Sequence, residues 1–178
     1  IYGFKPKNKI FLDKSSKKLC GKFRKGHFEG VLNVVNRFIE IIKPKYIYLG
    51  KKDYQQLFLI KKHIEKRKIK SQIIECETIR ENNGVACSSR NSKLNKNQIE
   101  VASNIHNYLR NLKKKIRKNY NLFNINKIRI DLINLGANKI DYVENYNIKS
   151  FKRILKSNKN FNLFFAYYIK NIRLIDNI

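Results

Sequence analysis

The order of patterns along this chain predicts an α/β domain followed by a small α+β domain. Three observations carry the prediction. Between residues 26 and 74 a helix-spaced apolar stripe, a short aromatic and β-branched run, a second helical stripe and a second apolar run follow one another. That alternation is the order of a parallel sheet with crossover helices. After it, two helical patterns precede three strand-like runs, the order of an antiparallel sheet with its helices segregated. Between the two lies a turn-rich passage, Glu77 to Asn91, so the boundary falls near Cys76 to Ala86, with domains over 1–80 and 81–178.

Residues 1–25 are polar and irregular, with Ile10-Phe11-Leu12 expected as a short strand. From Gly26 the apolar positions Phe28, Val31, Leu32, Val35, Phe38, Ile39 and Ile42 recur at three- and four-residue spacing, which predicts a helix that Pro44 stops. His27 stands at its start, where a histidine is ordinarily structural or solvated; it is kept only as a site-adjacent residue. Tyr46 to Leu49 then reads as a buried strand ended by Gly50. Helical spacing resumes over 53–67 through Tyr54, Leu57, Phe58, Lys61 and Ile64, with Asp53 as N-cap and His63 expected on the solvated side. A second strand is expected at Ile73-Ile74, and the first half of such a sheet is expected upstream of this chain. Asn82-Asn83-Gly84 marks a tight turn. From Asn95 a longer helix carries Ile99, Ala102, Ile105, Leu109, Leu112 and Ile116, with His106 packed or solvated. A shorter helix over Ile125, Ile128, Leu132 and Leu135 is stopped by Gly136. Strands are expected at 140–146, 163–169 and 172–175, with a hairpin turn at Asn171.

Composition narrows the function classes. The 178 residues are 42% hydrophobic, enough for a real core. No apolar run approaches the roughly 20 residues a membrane helix needs, and no secretory h-region opens the chain. Three scattered cysteines, Cys20, Cys76 and Cys87, give neither a disulfide framework nor zinc spacing and point to a reduced cytoplasmic setting. There is no methionine even at position 1, so the chain is expected to be a fragment lacking its N-terminus. The net charge of +27 ordinarily signals a polyanion partner. Here the basic residues are spread evenly and the aromatics fall on apolar stripes, as in a core, so no specific nucleic-acid partner is expected.

Two stretches carry the chemistry. In Gly50-Lys51-Lys52-Asp53 a strand passes through a glycine turn into a helix, the place where α/β sheets present ligand sites. Unpaired backbone N–H groups at a helix start favour an anion, and lysine adds charge. The alternative is an ordinary turn with solvated lysines. In Ser88-Ser89-Arg90 two hydroxyls and a planar guanidinium suit phosphate oxygens; the alternative is a helix N-cap with a surface arginine.

Together, GKKDYQQ (50–56) and TIRENNGVACSSRNSKL (78–94) resemble the pantothenate synthetase family, with its G-E-K-D-x-Q-Q and T-x-R-E-x-x-G-x-A-x-S-S-R-N-x-x-L segments. The resemblance runs from about Gly26 to the closing RLIDNI. It implies a Rossmann-like nucleotidyltransferase domain followed by a C-terminal α+β lid. It implies ATP-dependent ligation of pantoate and β-alanine through a pantoyl adenylate, with Mg²⁺ accompanying ATP, in a cytoplasmic homodimer. By family position Gly50, Lys51, Lys52, Asp53, Ile79, Cys87, Ser88, Ser89 and Arg90 contact ATP, Lys52 and Arg90 stabilise phosphate charge, and Gln56 binds pantoate. Both groups are expected to face one cleft. The chain departs from the pattern at Lys51, where the family has Glu, and at Cys87. The family's H-x-G-H motif is absent, so the chain alone is expected to be inactive. The competing readings are another adenylate-forming or nucleotidyl-transferring α/β enzyme, and a basic nucleic-acid-binding module.

Overall fold

The computed structural model describes residues 9–155 and 160–178. They divide into two compact units, Ile1–Glu77 and Thr78–Ile178.

In the first unit a short helix α1 (Cys20–Phe23) leads to α2 (His27–Ile42), β1 (Tyr46–Gly50), α3 (Tyr54–Lys66) and β2 (Gln72–Cys76). The strands pair in parallel, Tyr46 opposite Gln72 and Gly50 opposite Cys76. α2 ends two residues before Pro44, with Lys43 in the left-handed region at φ 50°. The core is made by Leu32 and Ile39 of α2 and Ile60 and Ile64 of α3, with Ile47, Leu49 and Ile73 from one sheet face.

The other sheet face corrects the expectation of a buried strand. Tyr46 and Tyr48 are exposed, as is Ile74 on β2. Strand alternation puts these three on the side away from Ile47, Leu49 and Ile73, so aromatic and β-branched content reported the strand but not burial of both faces. The expected strand at Ile10-Phe11-Leu12 is also absent: the Phe11 N–H is spent on the His63 imidazole, at 3.0 Å. Residues 1–8 of the irregular opening lie outside the described residues.

His63 itself is fully buried, against the expectation of a solvated side chain. Its Nδ1 accepts from Phe11 N, which leaves Nε2 to donate to Asn36 Oδ1 at 3.1 Å. A polar partner on α2 thus lets an imidazole occupy a helix–helix contact. Burial and the nearby Arg67 charge lower its pKa, in keeping with the neutral tautomer.

The second unit contains α4 (Lys96–Lys118), α5 (Ile125–Asn134) and an antiparallel sheet of β3 (Lys139–Asn147), β4 (Phe161–Ile169) and β5 (Ile172–Asn177), with β4 central. Asn95 caps α4 in a reciprocal capping box with Gln98. α5 is stopped by Gly136, at φ 105°. Ala102, Ile105 and Leu109 of α4 and Ile128 and Leu132 of α5 pack on Val143, Phe165, Tyr167 and Leu174 of the sheet. Each fully buried leucine of that layer contributes roughly 1.5–3 kcal/mol. Lower on α4, Ile116 joins Ile154, Phe161 and Leu163 in a second cluster.

Candidate functional site

In the first unit, β1 runs straight into a single 3₁₀ turn, Lys51–Asp53, and from there into α3. Gly50 is extended, at φ −72° and ψ 133°, so no unusual backbone angle demands glycine there. What its missing Cβ gives is open space: nothing lies within 4 Å of where one would stand. Asp53 occupies the N-cap position of α3 but makes no capping hydrogen bond. Lys51 forms an ion pair with Glu77, and that hydrogen bond raises its pKa despite a small opposing burial effect.

The two neighbouring glutamines differ. Gln55 is buried, accepts from Cys20 N (3.1 Å) and donates to Ser15 O (2.9 Å) and Lys18 O (2.7 Å). Those groups flank Leu19, a buried residue held at φ 42° and ψ −119°. Gln55 is therefore spent on structure, whereas Gln56 is half-buried. The sequence reading missed the pocket of about 420 Å³ beside the start of α2, lined by Lys17, Lys22, Arg24, Lys25 and His27 among others. Arg24 Nη1 donates to His27 Nε2 at 2.9 Å. The cue was present as the basic residues Lys17, Lys18, Lys22, Arg24 and Lys25 ahead of GHF, in a part of the chain read as polar and irregular.

In the second unit the predicted residues gather on one short hairpin. Cys87 N donates to Ile79 O at 2.9 Å and Glu81 N to Val85 O at 2.9 Å, so Ile79 and Cys87 are cross-strand neighbours although eight positions separate them. Ile79 is 77% exposed, an apolar side chain held out to solvent. Cys87, Ser89 and Arg90 are exposed and Ser88 half-exposed. Ser88 to Asn91 forms a turn, with Asn91 N bonded to Ser88 O at 3.0 Å and Arg90 N to Ser88 Oγ at 3.2 Å. The alternative of a helix N-cap is not what the serines make: the following 3₁₀ turn Asn91–Lys93 has no side-chain cap, and α4 takes its cap from Asn95.

These positions can be set beside known proteins. A family model described as pantoate-beta-alanine ligase matches residues 1–178. The chain belongs to that family. A pantothenate synthetase from Sulfurihydrogenibium sp. is 39% identical over 166 residues, covering 92% of this chain and 59% of the relative. Among solved structures, a Francisella tularensis pantoate-beta-alanine ligase complexed with beta-gamma ATP and beta-alanine is 34% identical, with a TM-score of 0.72 over 96% of this chain and 58% of that one. The Thermus thermophilus pantothenate synthetase is 23% identical with a TM-score of 0.86, a likeness of fold. The chain thus spans a little over half the length of these family members. The fold agrees with the expectation: a parallel pair of strands with helices, then a separate antiparallel sheet. Among the described residues no helix is long and apolar enough to cross a membrane.

Proposed function

We propose that this chain is the part of a pantoate–β-alanine ligase that holds the phosphates of ATP, acting in ligation of pantoate to β-alanine through a pantoyl adenylate. The observation that supports it best is the hairpin ending in Cys87–Arg90, where two hydroxyls and a guanidinium stand on one turn beside the outward-facing Ile79. Hydroxyls and a planar fork suit phosphate oxygens, and an exposed isoleucine suits the face of a purine. Neither formation of the adenylate from pantoate and ATP nor its capture by β-alanine needs a protein nucleophile; positioning and neutralisation of developing charge do the work.

In this reading Gly50, Lys51, Lys52 and Asp53 contact ATP from the first unit and Ile79, Cys87, Ser88, Ser89 and Arg90 from the second. Lys52 and Arg90 stabilise phosphate charge, and Gln56 hydrogen-bonds pantoate. The open space over Gly50 and the capless start of α3 support the first set. Lys51 is the least suited, because Glu77 already matches its charge. The domains are assigned as a nucleotide- and pantoate-binding unit over 1–80 and a lid over 81–178. Mg²⁺ would ride on the triphosphate, as this ion commonly does; no group of three metal-ligating side chains occurs among the described residues. The family resemblance also supports a cytoplasmic homodimer.

The test is titration of the ¹⁵N-labelled chain with Mg·ATP. Amide shifts are expected at Gly50–Asp53 and at Ile79 and Cys87–Arg90. Shifts elsewhere, or none at saturating nucleotide, would overturn the reading.

A further inference from the structure

Arg80 has no part in the phosphate grip just described, yet it is the most heavily engaged side chain of the hairpin. Its guanidinium makes a two-point pair with Asp176, Nη1 to Oδ2 at 2.6 Å and Nη2 to Oδ1 at 3.1 Å. The same Nη1 donates to Gly84 O at 3.0 Å, and Nη2 to Asn177 O at 3.3 Å. Nη1 also lies 3.3 Å from His106 Nδ1.

These partners come from three parts of the second unit. Gly84 is in the tip of the hairpin, whose Gly84 N–H closes on Glu81 O at 2.8 Å. Asp176 is on β5, opposite Phe165 of the central strand. His106 is buried on α4. The backbone of Arg80 meanwhile pairs with Ala86, and Asn91 Nδ2 donates to Ala86 O at 3.1 Å. A continuous set of bonds therefore runs from the antiparallel sheet through one guanidinium to the hairpin tip, across to Ala86, and on to the turn that presents Ser88, Ser89 and Arg90.

We infer that Arg80 is a positioning residue: anchored by Asp176, it fixes the hairpin and through it the Cys87–Arg90 turn, without touching nucleotide. The inference rests on the reading of that turn as an ATP contact. The fork is what matters. A lysine would keep the charge but has one nitrogen, and cannot hold both Asp176 oxygens and the Gly84 carbonyl in fixed directions. A misplacement of about 1 Å in a positioned group can cost on the order of 10²-fold in function.

The experiment uses the full chain as Arg80→Lys, Arg80→Met and Asp176→Asn, with hydrogen exchange resolved by residue and a separate Mg·ATP titration. Without nucleotide, the amides of 79–90 are expected to exchange about 10-fold or more faster in all three variants, while β4 amides keep wild-type protection. Arg80→Lys should rescue nothing relative to Arg80→Met, and the Kd for Mg·ATP should rise by about 10–10²-fold. Unchanged exchange at 79–90, rescue by lysine, or equal acceleration in β4 would each overturn the inference, the last because it would make Arg80 a general stabiliser. If the wild-type chain binds no ATP, the functional reading fails, and the exchange comparison alone decides the clamp.

Discussion

Two glycine-to-alanine substitutions should have opposite signs. Gly84 has φ +87°, and a Cβ built there would stand 2.7 Å from His106 Cδ2 and 3.1 Å from Nε2. The left-handed backbone alone costs an alanine roughly 1–2 kcal/mol. The steric cost adds to it, since carbon atoms rest about 3.5–4.0 Å apart and forced overpacking typically costs about 1–3 kcal/mol. The imidazole has little room to retreat, being buried on α4 and facing the Arg80 guanidinium. The sum is about 2–5 kcal/mol off the second unit. Gly30 is the control: it lies on the exposed side of α2, and a Cβ there would meet nothing within 4 Å. Alanine at that site should stabilise the first unit by about 0.5–1 kcal/mol. Urea titrations followed by amide exchange, read on β4 for one unit and α3 for the other, measure both. A Gly84→Ala variant within about 0.5 kcal/mol of wild type, the usual scatter of neutral surface changes, would refute the argument. So would a Gly30→Ala variant that destabilises.

The lysines of the βα turn should also separate. Lys52→Ala is expected to weaken Mg·ATP binding far more than Lys51→Ala, because Lys51 already spends its charge on Glu77; equal effects by calorimetry would show that the turn's register is misassigned. Lys113 donates to Asn162 Oδ1 at 2.8 Å, and burial, with the Arg117 charge, lowers its pKa to about 8. The folded state then binds fewer protons than the unfolded state between about pH 8 and the ordinary lysine value, so the second unit should gain stability as pH rises through that window. Urea midpoints should show the gain in wild type and not in Lys113→Met, and a slope that survives the substitution assigns it to another group. The net charge of +27 should give DNA binding that is insensitive to sequence and lost by moderate salt; tight selective binding near physiological salt, seen by fluorescence anisotropy, would favour the nucleic-acid reading instead.

Periodicity made most of the fold legible. Each predicted helix and strand from residue 26 onward has a counterpart, because apolar spacing over ten or more residues reports which side of an element is covered. It failed where one atom decides. Ile10-Phe11-Leu12 has strand composition, but its central N–H is taken by an imidazole 52 positions away. Tyr46 and Tyr48 have strand composition too, and they stand on a face that is exposed among the described residues. The candidate site was read as residue types in order. What the order could not carry was pairing: that Ile79 and Cys87 are neighbours across a hairpin, that Gln55 is consumed by the turn at Leu19 while Gln56 is not, and that Lys51 is matched by Glu77.

His63 and His106 show why such partners escape a linear reading. Each is a lone histidine on an amphipathic helix; spacing puts His63 on the solvated side and leaves His106 packed or solvated. The structure buries both, but differently. His63 is enclosed in a contact between helices with one nitrogen accepting and one donating, a complete set of bonds that leaves it nothing further to do. His106 borders charged groups, with Asp176 Oδ2 3.7 Å and Arg80 Nη1 3.3 Å from the same Nδ1. A proton placed on that nitrogen would face a donor on one side and an acceptor on the other. The buried imidazole of the first unit is thus a packing residue with polar edges. The one in the second unit adjoins the hairpin whose conformation the proposed function requires. A buried polar group becomes informative through the identity of its partners, and those partners, Phe11 and Asn36 in one case, Arg80 and Asp176 in the other, lie dozens of residues away along the chain.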